Sequence, residues 1–509
     1  MNKIFILLFL IFILQFFSCK DDAFGTIPST GNLQFSKDTV FLDTVFTNVS
    51  SSTRTLKIYN KSSSNITIPS IKLGRGDNSF YRLNVDGISD GSFENIDILA
   101  RDSIFVFIEA TIDHSKVVNP IYTDSIVFDS GSRQQDVKLV TLVQDAYFLY
   151  PQRDVHGVKE RIVLGIDGEG DEIAVDGFYL KENTTWTNEK PYVVYGFVGV
   201  PEDKTLTIEK GTRIHFHKNS GLLVDKNATL KVNGELGEEV IFEGDRLEPG
   251  YSEIPGQWST VWLRAGSKEH EIKNAIIKNN AIGILMDSIG SLTEPTLRIY
   301  NTQIYNTSNF GLLGRTANIK GENLVIANNG MASLACTIGG TYNFIHLTLA
   351  NFWRSGIRDY PTLLVNNFLK YNDNGTEKLL SRDLKEANFS NCIIDGNKNL
   401  ELILENSGEA DFNYNLKNNL VRFNDVNSKF KDDPLYDFED TSHYRENILN
   451  GNADFKGIQT NQYIIGEESE AINKADKNAA LQVPVDILGV DRATNPDIGA
   501  YQHIVFEEE

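Results

Sequence analysis

Four segments between residues 272 and 357 repeat one pattern and decide the fold of this chain: IKNAIIKNNAIGILM at 272–286, LRIYNTQIYNTSNFGLL at 297–313, IKGENLVIANNGMASLA at 319–335 and YNFIHLTLANFWRSGI at 342–357. Each segment alternates short apolar runs with Asn and Gly. Aligned on the Asn that follows an apolar pair, the segments give Asn279, Asn306, Asn328 and Asn351, at spacings of 27, 22 and 23 residues. A period of roughly 20–50 residues indicates stacked repeats, and this value is too short for helical pairs or propeller blades.

The repeated segments predict a right-handed parallel β-helix, in which each coil contributes short strands and coils stack about 4.8 Å apart. None keeps the i, i+3, i+4 apolar spacing of a helix over its length, which argues against a leucine-rich horseshoe. The aligned Asn residues are expected at the corners of coils, where Asn tolerates a left-handed backbone and its amide can stack on the next coil. We expect an inward apolar column from Leu206 to Ile498 that includes Ile299, Ile304, Ile319, Leu324, Ile326, Leu347 and Leu349.

The segment from Leu33 to Asp145 has a different pattern. Its short runs, such as TRTLKIYN, SNITIPSIKL and DSIFVFIEATID, alternate apolar and polar residues and are separated by turn residues. Seven such strands at roughly ten-residue spacing predict an immunoglobulin-like β-sandwich. The whole chain is therefore expected to be all-β. The predicted organisation is a signal peptide at 1–18, a lipid-anchored linker at 19–32, the sandwich at 33–147, a connecting segment at 148–175 and the β-helix at 176–503.

The N-terminus has the layout of a secretory signal. Residues 1–18 read MNKIFILLFLIFILQFFS, with one Lys before an apolar core and a small residue just before Cys19. This layout resembles the lipobox of bacterial lipoproteins, although Phe16 stands where Leu is usual, and the Lys-Asp-Asp that follows resembles the export tag of Bacteroidetes surface lipoproteins. The resemblance implies lipidation at Cys19, anchoring in the outer membrane and display on the cell surface. The alternatives are an uncleaved anchor, for which the apolar core is short, and a plain secreted protein.

Composition excludes one class of partner and one kind of framework. Lys and Arg total 48 against 69 Asp and Glu, a net charge of −21, and such an acidic surface disfavours nucleic-acid binding. Three cysteines in 509 residues do not build a disulfide framework. Cys336 and Cys392 lie in alternating apolar segments, so we expect buried free thiols.

The start and end of the repeat region resemble β-helix proteins of the pectate-lyase-like superfamily. The resembling stretches are Leu206–Ile214, Gly221–Val224, Leu230–Gly234, Pro255–Trp258, Ser469–Lys474, Asp486–Arg492 and Pro496–Gln502. The terminal signature usually ends in Glu, which Gln502 replaces here. The resemblance implies the fold and no particular chemistry. Enzymes of this fold that cleave acidic polysaccharides place carboxylates, Arg or Lys, and often calcium on one outward sheet.

Two groups of residues are candidates for metal binding. His215 and His217 alternate with Ile214 and Phe216, so both imidazoles are expected on one outward face, where such a pair can hold a metal or move protons. No third ligand is near in sequence, so an exposed strand face is the simpler interpretation. An acidic, loop-like stretch contains Asp432, Asp433, Asp437, Glu439, Asp440, Asn450, Asn452 and Asp454. Calcium takes oxygen ligands from such loops, but this spacing matches no calcium motif, so we expect a solvated insertion and no cofactor.

Aromatic residues supply further candidates for ligand binding. Trp258, Trp353 and Tyr360 are predicted as aromatic platforms on the outer face, and Arg354, Arg358 and Asp359 either help to bind sugar or pack a loop over the coil. The inward positions are filled, so no deep internal pocket is expected.

These features predict a cell-surface lipoprotein that acts in adhesion or glycan binding without catalysis. The alternative is a polysaccharide lyase or glycoside hydrolase that acts on the β-helix face. The expected partners of the protein are the outer membrane, reached through the lipid, and a polysaccharide or surface glycan.

Overall fold

A computed structural model describes residues 25–288, 294–373 and 375–506. The predicted signal peptide and Cys19 lie outside the described residues. The described chain is all-β, with one short α-helix in that part, and it divides into two compact units, with the boundary in the chain between Asp145 and Ala146. Within the described ranges, no helix combines the length and apolarity needed to cross a membrane. The boundaries that the sequence predicts for the individual domains stay predictions.

The first unit consists of two sheets around one core. Its strands are β1 Ile27–Pro28, β2 Gln34–Phe35, β3 Thr39–Phe46, β4 Arg54–Tyr59, β5 Ile66–Leu73, β6 Tyr81–Val85, β7 Ile88–Asp90, β8 Ser92–Ile98, β9 Ser103–Ala110, β10 Ile121–Phe128 and β11 Gln135–Gln144, with 3-10 turns at Gly76–Asn78, His114–Lys116 and Gly131–Arg133. One sheet has the order β1-β5-β10-β11-β3 with β8 on β5, and the other has the order β2-β4-β9-β6-β7. Ile58 and Val106 from one sheet share an apolar core with Ile68 and Ile126 from the other.

The second unit contains thirty strands within the described residues. They are β12 Tyr147–Leu149, β13 Arg161–Ile166, β14 Glu172–Tyr179, β15 Thr184–Trp186, β16 Tyr192–Val194, β17 Phe197–Val200, β18 Thr205–Glu209, β19 Arg213–Phe216, β20 Gly221–Val224, β21 Thr229–Asn233, β22 Val240–Gly244, β23 Trp258–Leu263, β24 His270–Lys273, β25 Ala275–Lys278, β26 Asn280–Asp287, β27 Leu297–Thr307, β28 Leu312–Asn329, β29 Leu334–Asn351, β30 Leu363–Asn366, β31 Phe368–Asp373, β32 Thr376–Ser381, β33 Leu384–Ser390, β34 Ile393–Gly396, β35 Leu402–Glu405, β36 Asn415–Lys417, β37 Leu420–Val421, β38 Tyr444–Arg445, β39 Ile448–Leu449, β40 Phe455–Gly457 and β41 Gln462–Ile465. Two 3-10 turns, Pro249–Tyr251 and Pro434–Tyr436, and the helix α1, Lys477–Ala480, complete it.

Parallel pairing stacks these strands into coils with three sides. From β14 to β23, each strand pairs in parallel with the strand three positions later. The long strands β27, β28 and β29 pass around corners, so different parts of one strand belong to different sides. Three parallel sheets result, and stacked three-sided coils of this kind form a parallel β-helix.

Two of the three sheets matter for the site. The covered sheet contains β12, β16, β19, β22, β25, the C-terminal parts of β27, β28 and β29, and then β34, β37 and β39. The groove sheet contains β14, β17, β20, β23, β26, the N-terminal parts of β28 and β29, and then β30 and β35.

The apolar column inside the coils agrees with the sequence analysis over most of its length. All seven residues named for the column are at most 1% exposed and belong to one cluster that runs from Trp186 to Tyr444. Ile498 is the exception, because it packs against Ile393 and Leu420 from outside the coils. Cys336 and Cys392 are both buried and free, as predicted.

Asn residues occupy corners of the coils, and the sequence analysis found only part of the pattern. Asn279, Asn306 and Asn328 have φ values of 65°, 56° and 52°, which is the left-handed region expected for them. Asn351 does not adopt that region. Its side-chain oxygen accepts a hydrogen bond from the Asn329 backbone N–H at 3.0 Å instead. A second left-handed corner column, which the alignment missed, contains Asn274, Asn301, Asn323, His346, Asn391 and Asn418.

The chain from residue 452 to residue 506, called here the C-terminal strap, returns along the outside of the covered sheet. Tyr463 and Tyr501 pack against the outward-facing Val325, Ala327 and Ala350. Polar contacts add to this packing. The Ala500 backbone N–H donates to Thr348 Oγ1 at 2.9 Å, and Asn328 Nδ2 donates to Asn461 Oδ1 at 2.5 Å. The outer face of the covered sheet is therefore occupied along these coils by the protein's own chain.

Candidate functional site

The terminal signature that resembles β-helix proteins lies within the C-terminal strap and holds the strap in its folded form. Arg492 is almost fully buried, and its guanidinium donates to the carbonyls of Gly499 and Ala500, each at 3.1 Å. Burial lowers the pKa of Arg492 to about 10. Asp486 accepts hydrogen bonds from the Leu488 and Val490 backbone N–H groups, both at 2.8 Å. The residues of the signature therefore stabilise the turns of the strap through hydrogen bonds within it.

A groove of about 680 Å³ lies on the outer face of the groove sheet. Its floor comes from one outward row of the stacked strands, to which Leu313, Leu364 and Ile403 contribute. Ala335 lies between Leu313 and Leu364 in the same row and is fully buried. Outward positions on a strand normally face water, so a continuous apolar row there makes a surface that can contact a ligand. A volume of this size falls in the range of roughly 300–1,000 Å³ typical of ligand sites.

Aromatic side chains line the groove in two pairs. The rings of Phe310 and Tyr360 meet edge to face, with centroids 5.6 Å apart, and the rings of Phe430 and Tyr436 are 4.4 Å apart. Burial raises the pKa of Tyr436, so its phenol stays protonated, and its hydroxyl donates to the Leu404 carbonyl at 3.1 Å. Tyr360 is 37% exposed and lines the groove, and its role as a platform for a ligand stays a prediction.

Polar side chains share this lining with the aromatic rings. Thr337 and Asn366 are half-buried, and Thr337 donates its hydroxyl to the Gly314 carbonyl at 3.0 Å. Asp359, Glu405 and Lys429 are exposed at the groove surface. Apolar floor, aromatic walls and scattered hydrogen-bonding groups together form a surface for a ligand that is partly apolar and rich in polar groups.

The loop that carries Tyr360 is held by a buried ion pair. Arg358 donates to both carboxylate oxygens of Glu401, at 2.6 and 2.8 Å, and both side chains are at most 2% exposed. The same guanidinium donates to the carbonyls of Tyr360 and Asn351, at 2.8 and 3.0 Å. Of the two roles considered for Arg358, loop packing is therefore correct and sugar contact is wrong. Arg358 and Glu401 are 43 positions apart in the chain, and no local sequence pattern indicates that they form a pair.

A projecting hairpin continues one side of the groove. Strands β31 and β32 pair in antiparallel fashion, and Phe368 and Leu369 at the start of β31 line the groove. Leu369 and Tyr371 lie two residues apart on one strand and are each 44% exposed. Because alternate residues of a strand share a face, these two side chains extend the apolar surface along the hairpin.

His215 and His217 do not form the exposed pair that the alternation suggested. His215 is 1% exposed, and its Nδ1 lies 3.2 Å from the Gly244 carbonyl oxygen, whereas His217 is exposed and contacts Asp245 at 2.7 Å. Period-2 alternation identifies outward positions but cannot show which of them the protein covers. Only His217 is therefore expected to tolerate substitution as a surface residue does.

Beside His215, the carboxylate of Glu243 lies close to two cations, Arg213 and Lys278. Glu243 contacts Arg213, lies 3.7 Å from His215 Nδ1 and lies 3.5 Å from Lys278 Nζ. Burial alone would raise the pKa of Glu243, but its interactions with His215, Arg213 and Lys278 outweigh burial and hold the pKa below its usual value. Burial lowers the pKa of His215 itself, so the permanent positive charges beside Glu243 are those of Arg213 and Lys278. The cations thus keep Glu243 ionised in a position that is 12% exposed.

The two tryptophans proposed as platforms have different positions. Trp258 is 1% exposed inside the coil core, where its ring stacks on Phe216 with centroids 4.3 Å apart, so the prediction of an outer platform is wrong. Its Nε1–H donates to the Lys278 carbonyl at 2.9 Å. Trp353 and Arg354 line a separate small pocket of about 80 Å³ that also includes Glu253.

The acidic stretch mostly caps its own turns. Asp433 accepts from the Leu435 backbone N–H at 3.0 Å, and Asp440 accepts from the Ser442 backbone N–H at 2.9 Å. Across the described ranges, no three or more His, Cys, Asp or Glu side chains are grouped so that they could hold a metal ion. The expectation that the protein takes no cofactor stays a prediction.

No protein-family model and no curated protein matches this chain. Pectate lyase Pel9A is similar in structure at 12% identity and a TM-score of 0.29, over 78% of this chain and 92% of that one. The catalytic domain of a family 87 α-1,3-glucanase in complex with tetrasaccharides is similar at 11% identity and a TM-score of 0.17, over 71% and 80%.

A family 123 glycoside hydrolase from Clostridium perfringens is similar at 10% identity and a TM-score of 0.17, over 22% of this chain and 26% of that one. The chain thus spans about a quarter of that enzyme's length. Similarities this weak carry no argument about activity.

Proposed function

We propose that this protein binds glycans in the groove on the groove sheet and does so without cleaving them. The observation that carries the proposal is the combination of aromatic walls with one exposed ring, that of Tyr360, an apolar floor and hydrogen-bonding side chains in one open groove. Sugar rings have apolar C–H faces and polar hydroxyl edges, so they match aromatic platforms flanked by polar groups. The occupied outer face of the covered sheet leaves the groove as the better binding surface.

Tyr360 provides the test of this proposal. Replacing Tyr360 with Ala should weaken glycan binding about tenfold or more, because a ring that stacks on the ligand contributes on the order of 1.4 kcal/mol or more. Binding is measured on the purified protein against a polysaccharide panel, with detection of cleavage products in parallel.

The matched control for this test is Tyr251→Ala, since Tyr251 is also 37% exposed but does not line the groove. The control variant should keep wild-type affinity. Equal affinities of the Tyr360 variant and the wild type would remove the groove from consideration.

We also propose that the protein is a lipoprotein anchored in the bacterial outer membrane and exposed on the cell surface. The Ser18–Cys19 junction and the Lys-Asp-Asp after it support this proposal. We propose further that the first unit is an immunoglobulin-like sandwich and that the coils of the second unit are right-handed. Such a protein would hold its groove outside the cell, where polysaccharides are available.

Cys19→Ala should block processing, because the variant lacks the thiol whose sulfur atom is acylated before the bond between Ser18 and residue 19 is cleaved. Mass spectrometry of the variant should find a precursor with residues 1–18 attached and no acyl mass. The wild-type protein, run beside it, should begin at Cys19 and carry the lipid. A wild-type N-terminus at another residue, without acyl mass, would contradict the proposal.

Catalysis by a polysaccharide lyase or glycoside hydrolase is the second candidate function. One observation favours it, since the carboxylates of Asp359 and Glu405 line the same groove, and paired carboxylates hydrolyse glycosidic bonds. The panel described above separates the two functions. Products that disappear in both Asp359→Asn and Glu405→Gln would establish catalysis, and binding without products would support the first proposal.

A further inference from the structure

The charges around the groove point to the class of glycan that it accepts. We propose that the groove binds glycans without acidic groups and discriminates against uronic-acid polymers. This inference rests on the proposed function, since it concerns the ligand of the same groove.

Two carboxylates line the groove. Lys398 lies beside one of them, but its Nζ donates to the Asp359 backbone carbonyl at 2.8 Å rather than forming a salt bridge with the carboxylate. Asp359 and Glu405 are both exposed at the groove surface, and within the described residues neither side chain forms a salt bridge. An ionised carboxylate accepts hydrogen bonds and donates none. Hydroxyl groups of a neutral sugar can therefore donate to Asp359 and Glu405, whereas a uronate carboxylate cannot.

The cations of the groove do not offset these carboxylates. Arg315 is paired with Asp287, which lies 2.5 Å from both its Nε and a terminal nitrogen and also accepts from Trp262 Nε1 at 2.6 Å. Lys429 remains, with its ammonium 4.8 Å from the ring centroid of Phe430. The groove lining thus presents one free lysine against two carboxylates that form no salt bridge within the described residues, with Lys398 held beside it on backbone carbonyls. The whole chain has a net charge of −21.

A polyanionic glycan would meet like charge both locally and from the whole surface. Juxtaposed like charges disfavour a partner strongly, and this is a common way in which proteins gain specificity. The repulsion acts through solvent, so salt should weaken it as the Debye length falls from about 30 Å at 0.01 M to about 3 Å at 1 M. A protonated amino sugar would be attracted by the same carboxylates.

The experiment compares matched pairs of soluble oligosaccharides that differ only in oxidation at C6: glucan and glucuronan, galactan and galacturonan, mannan and mannuronan. For each pair with a neutral member that binds, the uronate should bind at least tenfold more weakly at low salt. The ratio should shrink as salt is raised. Each measurement is made with and without added calcium.

Charge-neutralising variants then test the cause of the discrimination. Asp359→Asn with Glu405→Gln should reduce the neutral-to-uronate affinity ratio at least threefold, because amides keep the shape and remove the charge. Asp432→Asn with Glu439→Gln, a pair of exposed carboxylates outside the groove, changes the net charge equally and should leave the ratio unchanged.

Each outcome is decisive. A uronate that binds as well as its neutral partner, with or without calcium, overturns the inference but leaves the groove as a glycan site. An unchanged ratio in the groove variant also overturns it, since the two carboxylates would not be its cause. Failure of every glycan to bind would overturn the proposed function as well.

Discussion

Replacing Glu401 with Gln should destabilise the second unit by about 3–5 kcal/mol, because the variant leaves the Arg358 guanidinium buried without its counter-charge. Glu401 has no exposed surface and receives hydrogen bonds from Arg358 and from both the backbone N–H and the hydroxyl of Thr362. The free energy of unfolding, measured with denaturant at neutral pH, gives the effect directly.

The control for Glu401 is a pair of the same chemistry at the surface. Lys370 and Glu377 are 3.8 Å apart and 61% and 76% exposed, so Glu377→Gln should change the free energy of unfolding by less than about 1 kcal/mol. Similar losses in both variants would mean that the buried pair contributes no more than a solvated one. Because Arg358 also holds the Tyr360 carbonyl, Glu401→Gln should weaken glycan binding too.

Ile326→Asp should have an effect of at least about 5 kcal/mol. Ile326 is fully buried, with Ile304 and Leu349 as its register partners in the coils on either side. An aspartate there loses the apolar burial and introduces a charge that no neighbouring group compensates. We expect the variant to lose the cooperative unfolding transition of the second unit, followed by circular dichroism and denaturant titration.

The milder Ile326→Val keeps this prediction testable if the aspartate variant does not fold. Removing one methylene from a filled core should cost about 0.5–1.5 kcal/mol with the fold intact. A stable, cooperatively folded aspartate variant would contradict the description of this stack as a dry, continuous core.

The coil stack could be predicted because its signals are local and repeated. Inward Ile and Leu recur at alternate positions, and Asn recurs at corners, so four segments in phase were enough to identify the coils. The second corner column carried the same signal, since Asn274, Asn301 and Asn323 repeat at the same spacings of 27 and 22 residues.

The covered and open faces of the coils could not be predicted in the same way. Alternation shows which side chains point outward, but Val325 and Ala327 point outward beneath the strap, and Leu313 points outward into the groove. Apolar residues at these outward positions indicate from sequence alone that another segment of the chain or a ligand contacts them. Which segment covers them depends on contacts across more than a hundred residues, such as Asn328 with Asn461.

The C-terminal strap changes how the coils respond to disturbance. Stacked repeats that touch only their neighbours behave as a one-dimensional array and tend to fray from an end. The strap crosses several coils at once, since Asn323 donates to the Val485 carbonyl and Thr348 accepts from Ala500. A coil near the end cannot peel away until the strap has detached from coils nearer the middle. We therefore expect the strapped coils to unfold together rather than one by one from the end of the stack.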